Sequence, residues 1–87
     1  TFTGMVKSYD PNTGYAIVEQ RNKMVIGDEI EVFGPGTDFF VQQLTEMYNE
    51  EGEPIESAPH PQQILKIKMA EPVKENFMLR KQKEKGN

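Results

Sequence analysis

The sequence of 87 residues contains no cysteine and a single histidine, His60. The absence of cysteine excludes disulfide bonds, thiolate nucleophiles and cysteine-ligated zinc or iron–sulfur sites. No apolar run approaches the roughly 20 residues that a membrane-spanning helix requires, and the first residues do not form a charged and then apolar signal segment. We therefore expect a soluble, cytoplasmic protein that does not associate with membranes.

The chain has the length of one small domain, and its composition limits the core. Hydrophobic residues make up 36% of the sequence and charged residues 28%, which is leaner in apolar side chains than an average domain. Scaling with mass predicts that folding buries about 64% of the surface of the unfolded chain. We expect a thin core without a large enclosed cavity. Because the sequence begins with Thr1 and not with methionine, we also expect a piece of a longer protein.

The formal net charge of −4 combines two unlike regions. Residues 1–79 carry six Lys or Arg against thirteen Asp or Glu, and such an acidic body repels a phosphate backbone. Residues 80–87 carry four cations and one glutamate, with no hydrophobic side chain to bury. We predict a folded domain over residues 1–79 and a basic, disordered tail over residues 80–87.

The apolar residues recur mostly at every second position, which predicts strands and not helices. Strand candidates are residues 2–9, 15–20, 29–33, 38–47 and 64–69, with shorter ones at 55–56 and 77–79. Turn-forming residues separate them. In residues 34–36, Pro at the second and Gly at the third position of a turn predict type II geometry.

Short strands at intervals of about ten residues predict an all-β fold. We expect a small, mostly antiparallel β-barrel, because closure hides the exposed edges of a small sheet. A two-sheet sandwich is the alternative. The predicted core residues include Val6, Ile17, Val18, Ile30, Val32, Leu65 and Ile67.

No combination of side chains in the sequence predicts catalysis. Ser57 and His60 are the nearest approach to a nucleophile and its base, but both lie in a proline-rich loop, so a minimal serine hydrolase is the disfavoured alternative. Residues 10–14 begin like a calcium loop, yet Arg21 stands where the closing bidentate glutamate is required. We predict no catalytic residue, no metal site and no cofactor.

Three segments are candidates for binding a partner. Pro59 and Pro61 push the residues before them into extended backbone and so stiffen the loop 58–63. A polar cluster follows the strand candidate 15–20, and the basic tail is the third segment. The candidate binding residues are Arg21, Asn22, Lys23, Pro59, His60, Pro61, Gln62, Gln63, Arg80 and Lys81. Aromatic residues that could stack on bases, but are more often core residues, are Tyr9, Tyr15, Phe33, Phe39, Phe40 and Tyr48.

Four strings in the sequence resemble a known family. They are VEQRNK at 18–23, GDEIEVFGPG at 27–36, IESAPHPQQ at 55–63 and MLRK at 78–81. In this order they resemble the C-terminal domain of the collagenase-like peptidases of family U32. APHPQQ is the most specific part, whereas GDEIEV is also similar to the second β-barrel of translation elongation factors.

The resemblance implies an accessory β-barrel resembling domain 2 of translation elongation factors, appended to a separate catalytic domain. The family is classed as peptidases, and some members are associated with hydroxylation of tRNA or ribosomal RNA. None of the family's catalytic residues can be carried over to this chain. We therefore predict a non-catalytic domain that binds or positions a protein, a collagen-like peptide or an RNA for an upstream catalytic domain in cis. A purely structural role in docking the two domains is the alternative.

If RNA is the partner, the basic tail is predicted to carry most of the affinity, because the acidic body opposes a phosphate backbone. The candidate phosphate contacts are Arg80, Lys81, Lys83 and Lys85. A solubilising, disordered end without a binding role is the alternative.

Overall fold

The structure is a computed structural model that describes residues 2–36 and 39–81. The described residues form strands and no helix, and hence no helix that could span a membrane. The strands are β1 (Phe2–Asp10), β2 (Tyr15–Gln20), β3 (Met24–Val25), β4 (Glu29–Phe33), β5 (Phe40–Gln43), β6 (Met47–Tyr48), β7 (Ser57–Ala58), β8 (Ile64–Lys68) and β9 (Met78–Lys81). The prediction of an all-β fold is confirmed.

Seven strands form one antiparallel sheet in the order β5-β4-β9-β1-β2-β8-β6, while β3 and β7 pair separately. The large sheet curls into an open half-barrel. At its open seam the side chain of Gln42 on β5 reaches the end of β8. Its Nε2 donates to Lys68 O at 3.0 Å, and its Oε1 accepts from Ala70 N–H at 2.8 Å. The predicted barrel is thus partly closed, with an amide side chain bridging the seam.

The strands β2 and β8 illustrate how alternation builds the core. Ala16 and Val18 of β2 are buried and pair with the buried Ile67 and Leu65 of β8. Ile17 lies between them on the opposite face of β2 and is only half-buried. The prediction that Ile17 belongs to the core is wrong, because consecutive side chains of a strand face opposite sides of the sheet. The other predicted core residues are buried, namely Val6, Val18, Ile30, Val32, Leu65 and Ile67.

Two turns reverse the chain as the sequence predicts. Between β1 and β2, Thr13 N–H and Gly14 N–H both donate to Asp10 O, at 3.3 and 2.8 Å. Between β4 and β5, Gly36 has a φ of 67°, the left-handed value that the third residue of a type II turn requires.

Two strand predictions differ from the structure. The candidate at 38–47 is divided into β5 and β6, because Leu44 between them bonds to the backbone of Gly27 and Asp28, each at 2.8 Å. The candidate at 55–56 is replaced by β7, which pairs with the unpredicted β3. A strand of two residues is too short to show the alternation of apolar and polar residues by which strands are predicted from sequence.

The last strand extends beyond the predicted end of the domain. The sequence predicts Arg80 and Lys81 to be in the disordered tail, but both lie in β9 and pair with β4. Cross-strand carboxylates compensate for the missing apolar burial: Arg80 donates to Glu31 through Nε and Nη2, and Lys81 Nζ lies 3.2 Å from Asp28 Oδ2. The rest of the predicted tail, residues 82–87, lies outside the described residues.

Candidate functional site

The side chain of Gln20, at the end of β2, connects two of the candidate binding segments. It is completely buried despite its polarity. Its Nε2 donates to Ala58 O at 2.5 Å and to His60 O at 2.7 Å, and its Oε1 accepts from Met24 N–H at 3.0 Å. The amide thus satisfies both of its donors and its acceptor with backbone groups. We refer to these four residues as the Gln20 clamp.

The backbone around the clamp ties the same segments together. Gln20 N–H donates to Gln63 O, and Gln62 N–H donates to Gln20 O, both at 2.8 Å. Beside these hydrogen bonds, β3, which follows the end of β2, pairs with β7, which precedes the loop. The loop 58–63 is therefore fixed to the end of β2 and to the segment that follows it.

The loop 58–63 presents exposed side chains on this fixed backbone. Its residues 60–63 form a turn in which Pro61 is second and Gln62, with a φ of 62°, is third, the pattern of a type II turn. Gln63 N–H donates to His60 O across this turn at 3.3 Å. Pro59, His60, Pro61 and Gln62 are exposed, and Gln63 is half-buried. A positive φ is an unfavourable backbone conformation for a non-glycine residue. It persists only where surrounding contacts hold the backbone in place.

The segment 21–23 is the second part of this end of the half-barrel. The guanidinium of Arg21 lies 5.7 Å from the ring centroid of Phe2, and its Nη2 lies 3.7 Å from Glu19 Oε1. Asn22 Nδ2 donates to Phe2 O at 2.6 Å, whereas Lys23 is exposed. Arg21 and Asn22 therefore contribute to holding the start of β1.

The structure brings 21–23 and 58–63 together but assigns Arg80 and Lys81 to other contacts. In addition to its bond with Glu31, Arg80 lies over the ring of Phe33, with its Cζ 4.9 Å from the centroid. Lys81 pairs with Asp28. These two cations already have carboxylate partners, which reduces their value as phosphate contacts.

The two residues of the serine-hydrolase alternative do not form a catalytic pair in the described structure. Ser57 lies in β7 and His60 in the loop, and no hydrogen bond of the described residues joins them. The hydrogen bonds of His60 there involve its backbone. Within the described residues, no three His, Asp or Glu side chains converge as a metal site.

A cluster of polar aromatic and charged residues lies on the outer face of β2, β6 and β8, and the sequence predictions do not include it as a site. The hydroxyls of Tyr15 and Tyr48 donate to Glu46 Oε1 at 2.6 and 2.9 Å, and their rings meet edge to face at 5.9 Å. Lys66 Nζ lies 5.0 Å from the Tyr15 centroid and 5.7 Å from that of Tyr48. Lys68 Nζ lies 4.9 Å from the Tyr15 centroid. We refer to these five residues as the tyrosine cluster.

Hydrogen bonding in the tyrosine cluster shifts two pKa values in opposite directions. The hydroxyl of Tyr15, followed by that of Tyr48, lowers the pKa of Glu46, and Lys68 acts in the same direction. The bond to Glu46 is the main reason why the pKa of Tyr15 is raised well above its usual 10.0. At neutral pH Glu46 is therefore ionised and Tyr15 is neutral.

Two shallow cavities adjoin the cluster and share Ile17 and Lys66 as lining residues. One, of about 350 Å³, is also lined by Ser8, Asp10 and Thr13, and the other, of about 250 Å³, by Asn49 and Glu50. The ammonium-bearing side chain of Lys66 therefore lies on the ridge between two open depressions.

Further cations continue this outer face toward the Gln20 clamp. Glu19 Oε1 lies 3.7 Å from both Lys7 Nζ and Arg21 Nη2. Because β2 spans six residues, the face from Tyr15 to its far end is about 20 Å long. We define the basic strip as this face, with the side chains Lys7, Tyr15, Arg21, Tyr48, Lys66 and Lys68. The alternation of Lys66 and Lys68 in β8 signals a polar face, but the sequence does not reveal which tyrosines lie beside it.

The fold and its surface define the class of protein as a small all-β half-barrel domain, and comparison with known proteins identifies its family. The family described as "Peptidase family U32 C-terminal domain" matches residues 1–80. The crystal structure of the C-terminal domain of a U32-family protein from Geobacillus thermoleovorans superposes with a TM-score of 0.90, at 43% identity, covering 94% of this chain and 92% of that one. Its selenomethionine variant gives a TM-score of 0.88, at 42% identity, over 92% and 98% of the two chains.

The chain belongs to the U32 peptidase family and corresponds to its C-terminal domain. Among curated proteins it is similar to the tRNA hydroxylation protein P1 of Bacillus subtilis (strain 168), with 37% identity over 82 residues. These residues are 94% of this chain but only 19% of that relative. The family predicted from the four sequence strings is confirmed.

Proposed function

We propose that this domain binds RNA of the tRNA class along its basic strip and positions it for an upstream catalytic domain of the same polypeptide. The observation that carries the proposal is the arrangement around Lys66. Its ammonium group is held near the faces of two tyrosine rings, on a ridge between two open cavities. A cation oriented in this way is suited to contact a phosphate, and open cavities beside it leave space for the adjoining nucleotide.

The charge distribution favours the basic strip over the rest of the surface. The strip contains four cations, whereas the whole chain has a net charge of −4. Lys7 and Arg21 share the carboxylate of Glu19, while none of the described ion pairs involves Lys66 or Lys68. Asp10 and Glu50 line the cavities beside Lys66, so Lys66 and Lys68 are the cations of the strip proposed to contact phosphate. An acidic protein repels RNA except where cations accumulate, which favours this face over the rest of the described surface. Lysine contacts to phosphates carry little base specificity, and the role proposed is therefore positioning and not sequence recognition.

The name of the Bacillus subtilis relative supports RNA as the substrate class. A protein or collagen-like peptide remains the alternative substrate, and hydrolase activity of the whole protein stays a prediction from the family name. A cytoplasmic location and a likeness to domain 2 of translation elongation factors also stay predictions. The exposed loop 58–63 and Lys23 are proposed as the end of the binding surface beyond Arg21.

The test measures binding of the full-length protein to bulk tRNA at several salt concentrations. Lys66→Gln removes one cation from the strip, and Lys74→Gln is the matched control at an exposed position outside it. We expect Lys66→Gln to weaken binding and to reduce the slope of log affinity against log salt by about 0.7 to 0.9, the contribution of one phosphate contact. Lys74→Gln should change neither quantity.

Equal effects of the two substitutions would contradict the assignment of the strip. A full-length protein that binds gelatin but not tRNA would favour the peptide alternative. Truncation after Lys81 tests the predicted role of the tail, because binding with an unchanged salt slope would mean that residues 82–87 do not contribute.

A further inference from the structure

A second part of the outer sheet surface, on β4, β9 and β1, has a different chemistry. Phe33 pairs with Met78 across β4 and β9, and Met78 pairs with Met5 across β9 and β1. All three side chains are half-buried. They face away from the core, because their neighbours Val32 and Leu79 fill it. We refer to Phe33, Met78 and Met5 as the outer apolar row.

Two arginines border the row, Arg80 and, at the end that it shares with the basic strip, Arg21, and each is paired with a carboxylate. Arg80 lies over the ring of Phe33 and donates to Glu31, while Arg21 lies near the ring of Phe2. Phe2 is itself the cross-strand partner of Arg80. Aromatic residues, methionine and arginine are the side chains enriched in protein–protein interfaces.

The row continues into a shallow depression and an exposed edge. A cavity of about 230 Å³ is lined by Phe33, Gly34, Pro35, Asn76 and Met78, and its walls are almost entirely apolar. The most exposed large hydrophobic residues of the described chain are Phe39, just before β5, and Val41, which pairs with Glu31 of β4 at the edge of the same sheet. A cavity of this size beside an apolar row fits one protruding apolar side chain from a partner.

We propose that the outer apolar row is the surface on which the upstream part of the same polypeptide docks. The Bacillus subtilis relative is about five times longer than the matched segment, and the family description makes this segment a C-terminal domain, so the larger part of such a protein precedes it. A polypeptide preceding this domain joins it at β1, and Phe2 at the start of β1 lies on this same face beside Arg80. The linkage therefore delivers the upstream part to the outer apolar row at high effective concentration.

The isolated domain does not need this contact in order to fold. The matching crystal structures are of C-terminal domains alone, and fifteen buried hydrophobic residues form a core that excludes the row. The proposal stands independently of RNA binding, since the basic strip lies mainly on β2 and β8.

Methionine oxidation tests the proposal, because the five methionines fall into two classes. Met5 and Met78 lie in the row, whereas Met24, Met47 and Met69 are buried with at most 4% of their surface exposed. In the isolated domain, peroxide should oxidise the first two faster, since the other three react only on opening of the fold. In the full-length protein, oxidation of Met5 and Met78 should slow by about tenfold or more, while the buried three keep their rates.

Unchanged oxidation rates of Met5 and Met78 in the full-length protein would overturn the proposal. Protection in the isolated domain that increases with its concentration would assign the row to a second copy of the domain and overturn it as well. As an independent measurement, Met78→Glu should increase the radius of gyration of the full-length protein by small-angle scattering. Ile64→Glu, at another half-buried outer position, is the matched control and should leave it unchanged.

Discussion

Replacing Gln20 by leucine tests whether the Gln20 clamp holds the binding end of the half-barrel together. Leucine fills a similar volume but can neither donate nor accept hydrogen bonds, so the substitution isolates the polar contribution. Two of the backbone groups that lose their partner, Ala58 O and Met24 N–H, belong to residues that are completely buried. The third, His60 O, belongs to an exposed residue and can turn to water.

The expected loss of stability follows from these two buried groups. Each buried polar group left without a partner costs about 1 to 3 kcal/mol, so Gln20→Leu should lower the free energy of unfolding by about 2 to 6 kcal/mol. A domain of this length has a total stability of about 4 to 13 kcal/mol. The hydrogen bonds of the Gln20 clamp are thus expected to account for a large part of the domain's free energy of unfolding.

Urea denaturation of the isolated domain, followed by circular dichroism, measures this loss. With a slope of about 1 to 2 kcal/mol per molar urea, the midpoint should fall by about 1 M or more. Gln43→Leu, an exposed glutamine of β5, is the control and should remain within about 0.5 kcal/mol of the parent. If the two variants unfold at the same midpoint, the reasoning from buried hydrogen bonds is refuted.

Three further predictions follow from single contacts. Gln42→Leu removes the bridge across the open seam and should cost about 1 to 3 kcal/mol in the same urea experiment, while a midpoint equal to that of the surface control would exclude a role in closure. Gly34→Ala places a Cβ in steric conflict with two ring carbons of Phe77 and should cost about 1 to 3 kcal/mol, measured as a lower Tm; an unchanged Tm would mean that the ring moves freely. Because folding raises the pKa of Tyr15, its stabilising effect is complete below pH 10.0 and is lost as the pH rises through the folded value. An ultraviolet absorption titration should show this tyrosine ionising late, and Glu46→Gln should move its pKa back toward 10.0, whereas an unaltered titration would disprove the role of the shared carboxylate.

The sequence predicts the parts of the fold that depend on alternation and turn chemistry. The strand β8 has Leu65 and Ile67 on one face and two lysines on the other, which a period of two identifies without any tertiary information. Ile17 shows the limit of hydrophobicity alone, because its apolar side chain is on the outer face between two inner residues. Residue type predicts burial less well than position in the alternation.

The clamp and the end of β9 could not be predicted from the sequence for a different reason. Gln20 bonds to carbonyl groups 38 and 40 residues away, and no local pattern records such a distance. Arg80 similarly owes its place in a strand to Glu31, 49 residues away. The only local signal was a glutamine among polar residues at a strand end, which is also the composition of an ordinary solvated turn.

The two proposed surfaces can be separated because they make different demands on the rest of the polypeptide. Lysine contacts to phosphate belong to this domain alone, so Lys66→Gln should weaken tRNA binding by the same factor in the isolated domain and in the full-length protein. Docking through the outer apolar row instead fixes the direction in which the basic strip points. Met78→Glu should therefore leave the tRNA affinity of the isolated domain unchanged and weaken only that of the full-length protein. The reason is that this domain and the upstream part, once no longer held in a fixed orientation, contact the same tRNA at a lower effective concentration. If Met78→Glu weakened binding of the isolated domain as well, the row would itself contact RNA, and the division of the sheet into two surfaces would be wrong.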